Sequence, residues 1–530
     1  MAFIKTEKKA NGIYLRIVES YREGSKTKHR TLYSLGKVED YTLSELERIG
    51  LKFLELAGKS IEDLPKKTFT ELGRYNYGYV LVLNKLWSLF KMDTLRKYIS
   101  NGTKTRFDWE TCVKIMIAER LNEPCSKRQC SFNQSEYIGF KSTIDLHQFY
   151  RTLDLIADRE WLVKEHIRKQ HSALSDEKLD VVFYDVTTLY FDSQEEEDSA
   201  LRQKGYSKDG KAHKTQVVLG LLVDKQRNPI SYEVYPGNTY EGVTMINALQ
   251  KLTKQYKIGQ VVVVADSAMI DSANREYMDN HKIGYIIGDR IKNLGKGITS
   301  NLIDRKNHIE LSNGLTYIEV KYKGRRIICT YSEKRAAKDA YERQKLIDKA
   351  SNWLQNPSKY KQVKKRGAGR FIEANDEGLP IKLNVEQIQA DSKFDGFKAI
   401  STTTELTVEE ILSKYRDLFE VEHSFRTLKS QLEIRPMFHW TDSRIKGHIC
   451  MCFVAYAFLN YIRNQANMQY SDLIKALDKM QVSKIKNSQI DEIVYMRSTI
   501  CEGQKKILDA MNLPILPDLC IQSTINQHFK

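Results

Sequence analysis

Two aspartates follow the most apolar segments in the middle of the chain. Asp185 comes directly after residues 181–184, which are all Val, Phe or Tyr, and Asp266 follows four valines and an alanine at 261–265. Such runs predict strands that are buried on both faces. A third acid, Glu422, lies in a segment whose hydrophobic residues have helical spacing. Three carboxylates positioned by separate elements are suited to bind divalent cations and so to support chemistry on phosphates.

The elements around the two aspartates follow a diagnostic order. Three strands come first, and then a helix, a strand, a helix and a strand, which predicts an α/β sheet that begins antiparallel and continues through crossovers. This is the order of the ribonuclease H-like fold, which retroviral integrases also have. The predicted strands are residues 179–190, 215–223, 229–234, 260–265 and 285–288, and the helices begin at Asn238 and Ser272.

Glu422 belongs to a predicted helix that begins at Thr407, where Thr407 and Glu410 fit a capping box. The hydrophobic stripe of this helix contains Glu422, and a buried carboxylate is costly unless it is paired, protonated or bound to a metal. An ion pair with Arg426, one turn later, is the structural alternative. The two aspartates favour the metal, because a divalent cation relieves the repulsion among three acids. Ligands that are all oxygen suit Mg²⁺ or Mn²⁺.

The segment around Glu422 resembles the DDE transposases of bacterial insertion sequences, in the group with a Tyr-Arg-Glu-Lys signature. Tyr415, Glu422 and Lys429 have the seven-residue spacings of that signature, whereas Leu418 stands where the family has Arg. Arg416 and Arg426 are candidates to replace this Arg, and Arg426 is the better placed. Further similar stretches lie at residues 205–221, 236–239, 265–269 and 435–448, so the resemblance covers about residues 180–460, and the N-terminal hairpin more loosely.

The resemblance implies a transposase that binds terminal inverted repeats, cleaves DNA at the element ends and joins the 3′-hydroxyl to target DNA. Asp185, Asp266 and Glu422 would be catalytic and would hold two Mg²⁺ or Mn²⁺ ions about 3.5 to 4 Å apart. Lys429 would contact a phosphate near the cut, and Tyr415 would either position the terminal phosphate or pack against apolar neighbours. Because two element ends must be paired, a homodimer on double-stranded DNA is expected.

Charge and length agree with a large protein that acts on a polyanion. The chain has 530 residues, with 84 Lys and Arg against 68 Asp and Glu, and a formal net charge of +16; about three or four domains are expected. Two basic stretches are candidate DNA contacts, with a solvated surface as the alternative. The first contains Lys127 and Arg128 in a possible helix-turn-helix, and the second contains Lys364, Lys365 and Arg366.

Several classes of protein are disfavoured. The eight cysteines lack the common zinc-site spacings, and Cys125 with Cys130 and Cys450 with Cys452 are interpreted as ordinary buried thiols. No apolar run reaches the roughly 20 residues that a membrane-spanning helix needs, and no secretory signal opens the chain. The Gly-Lys-Gly at 295–297 is not a P-loop, so no nucleotide cofactor is inferred. A cytoplasmic protein is expected.

The predicted organisation has six parts. They are an N-terminal β-hairpin region and linker (1–65), a helical DNA-binding domain (66–175), the first part of the catalytic core (176–290), an inserted β-rich domain (291–395), the second part of the core (396–470) and a C-terminal helical region (471–530). Two other functions stay open: a ribonuclease H-like, structure-specific nuclease that uses the same acids without strand transfer, and a domesticated DNA-binding protein without catalysis.

Overall fold

The computed structural model divides the chain into two compact units. One comprises Met1–Gly73 and Lys484–Val494, and the other Arg74–Ser483 and Tyr495–Lys530. The structure describes residues 2–9, 11–24, 26–60, 69–140, 143–174, 181–192, 199–205, 214–256, 262–266, 272–311, 314–356, 366–375, 380–487 and 492–529.

The N-terminal unit contains a three-stranded antiparallel sheet. Its strands are β1 (Ala2–Lys9), β2 (Gly12–Glu23) and β3 (Lys26–Lys37), with β2 in the middle. The hairpin predicted at residues 12–38 is therefore confirmed, and β1 adds an edge strand. Gly24 lies in the turn with a φ of 64°, a conformation that glycine adopts at little cost. Helix α1 (Leu43–Leu56) begins with a capping box between Thr42 and Glu45.

The next segment is mostly helical, as predicted. A strand comes first, β4 (Phe69–Asn76), which the helical spacing did not indicate. The helices that follow are α2 (Gly78–Leu89), α3 (Met92–Ser100), α4 (Trp109–Asn122), α5 (Lys127–Asn133), α6 (Leu146–Asp158) and α7 (Glu160–Leu174).

The order of elements predicted for the middle of the chain is confirmed, except that the two-residue strand β6 was not predicted. Strand β7 pairs antiparallel with both β5 and β8, and β9 lies parallel to β5 on one side and to β10 on the other. These elements are β5 (Val181–Tyr190), β6 (Gln203–Lys204), β7 (Thr215–Val223), β8 (Pro229–Pro236), α8 (Glu241–Tyr256), β9 (Val262–Ala265), α9 (Ser272–Asn280) and β10 (Gly284–Asp289).

The segment predicted as an inserted β-rich domain contributes strands to the main sheet instead of standing apart from it. Its elements are α10 (Lys296–Leu302), β11 (Ile309–Glu310), β12 (Thr316–Tyr322), β13 (Arg325–Tyr331), α11 (Glu333–Gln355), β14 (Ile372–Ala374), β15 (Pro380–Leu383) and α12 (Val385–Ser392), followed by β16 (Phe397–Thr402).

Backbone pairing explains this correction. Strand β13 pairs antiparallel with β16, which in turn pairs antiparallel with β10. The result is a ten-stranded mixed sheet in the order β11-β12-β13-β16-β10-β9-β5-β7-β6, with β8 on β7. Among the strands described between residues 291 and 395, β14 and β15 form a separate ladder, beside α11. The expectation that residues 291–395 lie outside the sheet is therefore wrong for β11, β12 and β13.

The C-terminal part contains both helices and strands. Its elements are α13 (Val408–Arg416), α14 (Phe419–Ser430), α15 (Asp442–Ala466), α16 (Tyr470–Asp478), β17 (Gln481–Asn487), β18 (Glu492–Arg497), α17 (Glu502–Ala510), β19 (Leu519–Cys520) and α18 (Gln522–His528). Strands β19, β18, β17 and β4 form a four-stranded sheet in that order. The region after residue 470, predicted as helical, is thus mixed. The six-part division of the chain itself stays a prediction.

Helix α15 is the centre of the main core. Helices α4, α6 and α7 pack around it, and nearly every residue between Ile445 and Ile462 is buried. Gly447 allows the closest approach, since a Cβ there would lie 2.1 Å from the backbone oxygen of Leu153. The helix is long and apolar enough to cross a membrane by composition, but 89% of its most apolar window is buried inside the protein. That burial is typical of the core helix of a folded domain.

Candidate active site

Strand register brings the two aspartates together. Val181, Val182 and Phe183 of β5 lie opposite Val262, Val263 and Val264 of β9, in parallel. Continuing this register two residues past the last pair places Asp185 opposite Asp266, which directly follows β9. Neighbouring strands lie about 4.8 Å apart, so the two acids occupy adjacent positions at the carboxyl end of β9.

Both aspartates belong to the same face of the sheet, because alternate residues of a strand point to opposite faces. Phe183 of β5 and Val264 of β9 have the parity of the two acids, and both pack in the core that contains α14 and α15. Tyr184 and Ala265, of the other parity, pack in the core beneath α8 and α9. Asp185 and Asp266 therefore belong to the face that α14 covers.

Glu422 is carried to this face by α14, which packs on β5. The buried side chains of α14 include Val421, Phe425 and Leu428, whereas Glu422 itself is exposed. The predicted burial of Glu422 in the hydrophobic stripe is therefore wrong. The predicted helix is also divided, since α13 ends at Arg416 and α14 begins at Phe419. The capping box of Thr407 and Glu410 is confirmed.

Lys398 connects the acids electrostatically. Burial and the nearby Arg335 lower the pKa of Lys398, while the carboxylates of Asp266 and Glu422 both act in the opposite direction. Two acids that are 156 positions apart in the sequence thus lie within electrostatic reach of one ammonium group. Lys398 is in β16, and its Nζ lies 4.2 Å from the centre of the Tyr415 ring. That ring is 7% exposed.

A cavity of about 470 Å³ adjoins Asp266 and brings further cations to the site. Its lining includes Arg290, Lys292, Arg335, Lys398 and Tyr415. Burial, with a contribution from the charge of Asp266, raises the pKa of Tyr415, and Arg335 opposes that change. Sequence reasoning missed Lys398 and Arg335. Neither residue has a neighbouring motif. Lys398 is the second residue of β16, and Arg335 lies in α11.

Helix α14 is held by polar anchors on the side away from Glu422. Glu420 forms an ion pair with Arg227, in the turn between β7 and β8. The Ser424 hydroxyl lies 2.7 Å from the hydroxyl of Tyr456, which is also 2.9 Å from the backbone oxygen of Arg227. Tyr456 is fully buried in α15. These contacts fix the helix against the end of the sheet and against the core helix.

The other predicted site residues are dispersed. Lys429 lies on α14 two turns after Glu422, with its Nζ 5.9 Å from the ring centre of Phe425, and Arg426 is exposed on the same helix. Arg128 is exposed on α5, and Arg366 is exposed just before a short 3-10 helix. Lys364 and Lys365 lie outside the described residues.

The structure contradicts the prediction that Lys127 contacts DNA. The predicted helix-turn-helix corresponds to α4 and α5, with Ser126 as the N-cap of α5. Lys127 is only 2% exposed, and burial lowers the pKa of its ammonium group. A side chain in this position cannot reach a phosphate on the surface. Packing of α5 against α4 and α6 accounts for the burial of this side chain, which the sequence pattern did not indicate.

The carboxylate oxygens of Asp185, Asp266 and Glu422 are suitable ligands for a hard divalent cation. Asp185 is half-buried, and Asp266 and Glu422 are exposed. Carboxylate oxygens suit magnesium and manganese better than softer metals. A mixed sheet with acids on adjacent parallel strands, covered by a helix that carries a third acid, is typical of ribonuclease H-like enzymes of metal-dependent phosphoryl transfer.

Comparison with protein families identifies the chain more closely. Residues 176–458, more than half of its length, match the family model described as the transposase DDE domain. Residues 4–55 match the N-terminal domain of IS1634 family transposases. The chain therefore belongs to the DDE transposases of bacterial insertion sequences, as its resemblance to them predicted. It is a metal-dependent DNA transposase. No curated protein matched in a search by sequence.

Two solved structures are distantly similar. One is described as the cryo-EM structure of a piggyBac transposase synaptic complex with hairpin DNA; it has 8% identity and a TM-score of 0.38, over 82% of this chain and 80% of that chain. The other is Mos1 transposase in a paired-end complex with the left transposon end, with 10% identity and a TM-score of 0.15, over 47% of this chain and 73% of that chain.

Proposed function

We propose that this transposase binds the terminal inverted repeats of its insertion sequence, cuts the DNA at the element ends and joins the freed 3′-hydroxyl to target DNA. The observation that carries this proposal is the strand register that sets Asp185 beside Asp266, together with the shared action of Asp266 and Glu422 on Lys398. Asp185, Asp266 and Glu422 are the catalytic residues in this proposal.

The three acids would hold two divalent ions, Mg²⁺ or Mn²⁺. When bound, such ions activate the attacking oxygen and stabilise the leaving 3′ oxygen. The same carboxylates would serve both steps, first with water and then with the 3′-hydroxyl as the nucleophile. Because Asp185 and Asp266 are set by backbone pairing, they would keep their spacing when DNA binds, and Glu422 would complete the ligand set from α14.

Cations around the acids would bind the phosphates on either side of the cut. Lys398 and Arg335 lie next to the carboxylates and supply positive charge where a phosphate must approach two acids. Lys429 would contact a phosphate further along the same strand, and Tyr415 would hold Lys398 in place through its ring. Leu418 occupies the position of the signature arginine, and Arg426 would take over the role of that arginine.

Binding to DNA outside the catalytic site would use exposed basic residues. Arg128 and Arg366 are exposed and carry the charge that such contacts need, and Lys364 and Lys365 extend the second stretch in the sequence. Lys127 is left out of this set because it is buried. A homodimer would pair the two element ends, and the protein would work in the cytoplasm, where bacterial DNA is found.

The test uses the purified full-length protein with DNA that ends in the inverted repeats flanking its gene, in the presence of Mg²⁺. Wild type should cut the DNA at the repeat and produce joined products with a second DNA, whereas Asp266→Ala should do neither. Asp192→Asn is the matched control, since Asp192 follows the end of β5 and pairs with Lys214 at the surface; it should cut normally.

Three other results would contradict the proposal. Cutting without joining, on DNA that lacks the repeats, would indicate a structure-specific nuclease. Binding without cutting in wild type would indicate a domesticated DNA-binding protein. Equal cutting by Asp266→Ala and wild type would remove Asp266 from the site.

A further inference from the structure

A second group of side chains that can bind a metal lies where α4 is joined to α5. These helices carry none of the three acids of the candidate active site. Glu119 is in the third turn of α4, Cys125 is in the connection, and Cys130 is in α5. One ligand atom from each residue lies within 4.8 Å of the other two. The Cys125 Sγ is 3.0 Å from Glu119 Oε2 and 3.5 Å from the Cys130 Sγ.

Burial makes this group unusual. Glu119 and Cys130 are each 1% exposed, and a buried carboxylate is costly unless a cation or several donors compensate it. Asn133 donates its side-chain N–H to Glu119 Oε2 at 2.7 Å. The Cys125 thiol donates to the same oxygen at 3.0 Å. Both donors are neutral, so they orient the carboxylate without supplying a charge, as the outer partners of metal ligands commonly do.

Lys127 gives an independent indication. Its ammonium group is buried, and its Nζ has no hydrogen-bond partner among the described residues. It lies within electrostatic reach of the Cys125 and Cys130 thiols. One carboxylate and two thiolates would carry three negative charges, of which a divalent cation neutralises two. Lys127 and the buried Arg120 both lie near the thiols and face the remaining negative charge, so a loaded site would explain why two cationic side chains lie together inside the protein.

The distances favour a metal over a disulfide. A tetrahedral zinc site, with Zn–S of about 2.3 Å and Zn–O of about 2.0–2.2 Å, implies S···S near 3.8 Å and S···O near 3.5 Å. The ligand atoms would have to move apart by only about 0.3–0.5 Å. A disulfide needs the two sulfurs about 2.05 Å apart, so Cys125 and Cys130 would have to approach by about 1.5 Å.

We propose that Glu119, Cys125 and Cys130 bind a structural zinc ion, or another divalent metal with affinity for thiolates, with solvent as the fourth ligand. Two thiolates select this class of metal over the hard ions that the carboxylate site suits. Cys125 also lines a cavity of about 350 Å³, which gives the ion and the solvent ligand a route to the site.

The position of the site indicates what the metal would stabilise. Arg120, next to Glu119, donates through Nη2 to the backbone oxygen of Cys125 and through Nη1 to those of Leu432 and Glu433, each at 3.2 Å. Leu432 and Glu433 directly follow α14, the helix that carries Glu422. A metal that fixes the connection between α4 and α5 would therefore fix the carboxyl end of α14.

Cobalt(II) provides a direct test, because thiolate ligation gives sulfur-to-cobalt charge-transfer absorption that carboxylate ligation does not. Reduced, metal-free, full-length protein should bind one equivalent of Co²⁺ with this absorption, and Zn²⁺ should displace it. Loss of the metal should lower the melting temperature of the protein. The carboxylate site cannot produce the signal, so the outcome does not depend on the proposed transposition chemistry.

Variants give the control. Cys125→Ser and Cys130→Ser should each weaken the charge-transfer band, because one thiolate remains, and the double variant Cys125→Ser/Cys130→Ser should abolish it, whereas Glu119→Gln should keep the band with weaker binding. Cys112→Ser is matched to these variants, since Cys112 is a buried thiol of α4 outside the group; it should bind Co²⁺ like wild type. The absence of the band in folded wild type, an unchanged band in either folded single variant, or its persistence in the folded double variant, would overturn the proposal.

Discussion

The two aspartates and the glutamate reach the candidate active site by different structural means. Asp185 and Asp266 are placed by the backbone, since the parallel pairing of β5 and β9 sets one beside the other. Glu422 is placed by side chains, through the packing of α14 and the contacts of Glu420 and Ser424 with Arg227 and Tyr456.

Because of this difference, the positions of the aspartates and of the glutamate should respond differently to substitutions. Side-chain substitutions around the aspartates should leave their spacing intact, because main-chain hydrogen bonds maintain it. Substitutions that weaken the anchors of α14 should displace Glu422 without unfolding the sheet. We therefore expect substitutions remote from the three acids to reduce DNA cleavage when they weaken the contacts of α14. Remote substitutions around β5 and β9 should have little effect on cleavage.

Replacing the acids themselves should have the largest effect. Asp185→Asn, Asp266→Asn and Glu422→Gln should each reduce DNA cleavage by roughly 10³-fold, because several kcal/mol of charge stabilisation in the transition state is lost. Single-turnover cleavage of an end substrate measures this. Similar losses of cleavage in the three variants would show that the acids act in one site. A fully active Glu422→Gln would show that Glu422 does not act with the two aspartates.

Replacing Lys398 should have the next largest effect, since its ammonium group is near both Asp266 and Glu422. Lys398→Ala should slow cleavage by roughly 10- to 100-fold, the range expected for loss of a charge-assisted contact, and Lys398→Arg should recover part of the rate. The same cleavage assay applies, with exposed Lys393→Ala as the control. An unchanged rate in Lys398→Ala would remove this lysine from the site.

Weakening the anchor of α14 should have a smaller effect. Glu420→Gln removes the ion pair with Arg227 and should cost about 2 kcal/mol of stability, with a roughly tenfold loss of cleavage from displacement of Glu422. Thermal unfolding and cleavage are measured on the same samples, and exposed Glu409→Gln is the control. Lower stability with normal cleavage would mean that Glu422 does not depend on this anchor.

Tyr456→Phe should have the smallest effect. It removes one hydroxyl between α15 and Ser424 and should cost about 1 kcal/mol of stability, with a decrease in cleavage smaller than that of Glu420→Gln. Denaturant unfolding would detect the change in stability. A larger loss of activity than that of Glu420→Gln would reverse the ranking of the two anchors.

The sequence predicted most of what local patterns can encode. The strand that contains Asp185, the strand that precedes Asp266, the capping box at Thr407 and, apart from β6, the order of elements from β5 to β10 are confirmed. The place of β11, β12 and β13 in the main sheet was not predictable, because pairing between β13 and β16 joins segments more than 60 residues apart.

The same limit applies to single residues. Glu422 was predicted to be buried because its spacing fits the hydrophobic stripe, but the break between α13 and α14 changes which side chains face the core. Lys127 was predicted to contact DNA because it lies between two helical segments that resemble a helix-turn-helix. Lys398 and Arg335 were missed since only the folded sheet brings β16 and α11 to the acids. Each case depends on tertiary contacts that local spacing does not contain.

Binding of Mn²⁺ tests most directly whether the three acids form one site. Electron paramagnetic resonance would measure free Mn²⁺ during titration of wild type, Asp185→Asn, Asp266→Asn and Glu422→Gln, each bound to DNA with an element end. We expect all three variants to bind Mn²⁺ more weakly than wild type. If Glu422→Gln bound Mn²⁺ as wild type does while the two aspartate variants did not, the glutamate would not belong to the metal site.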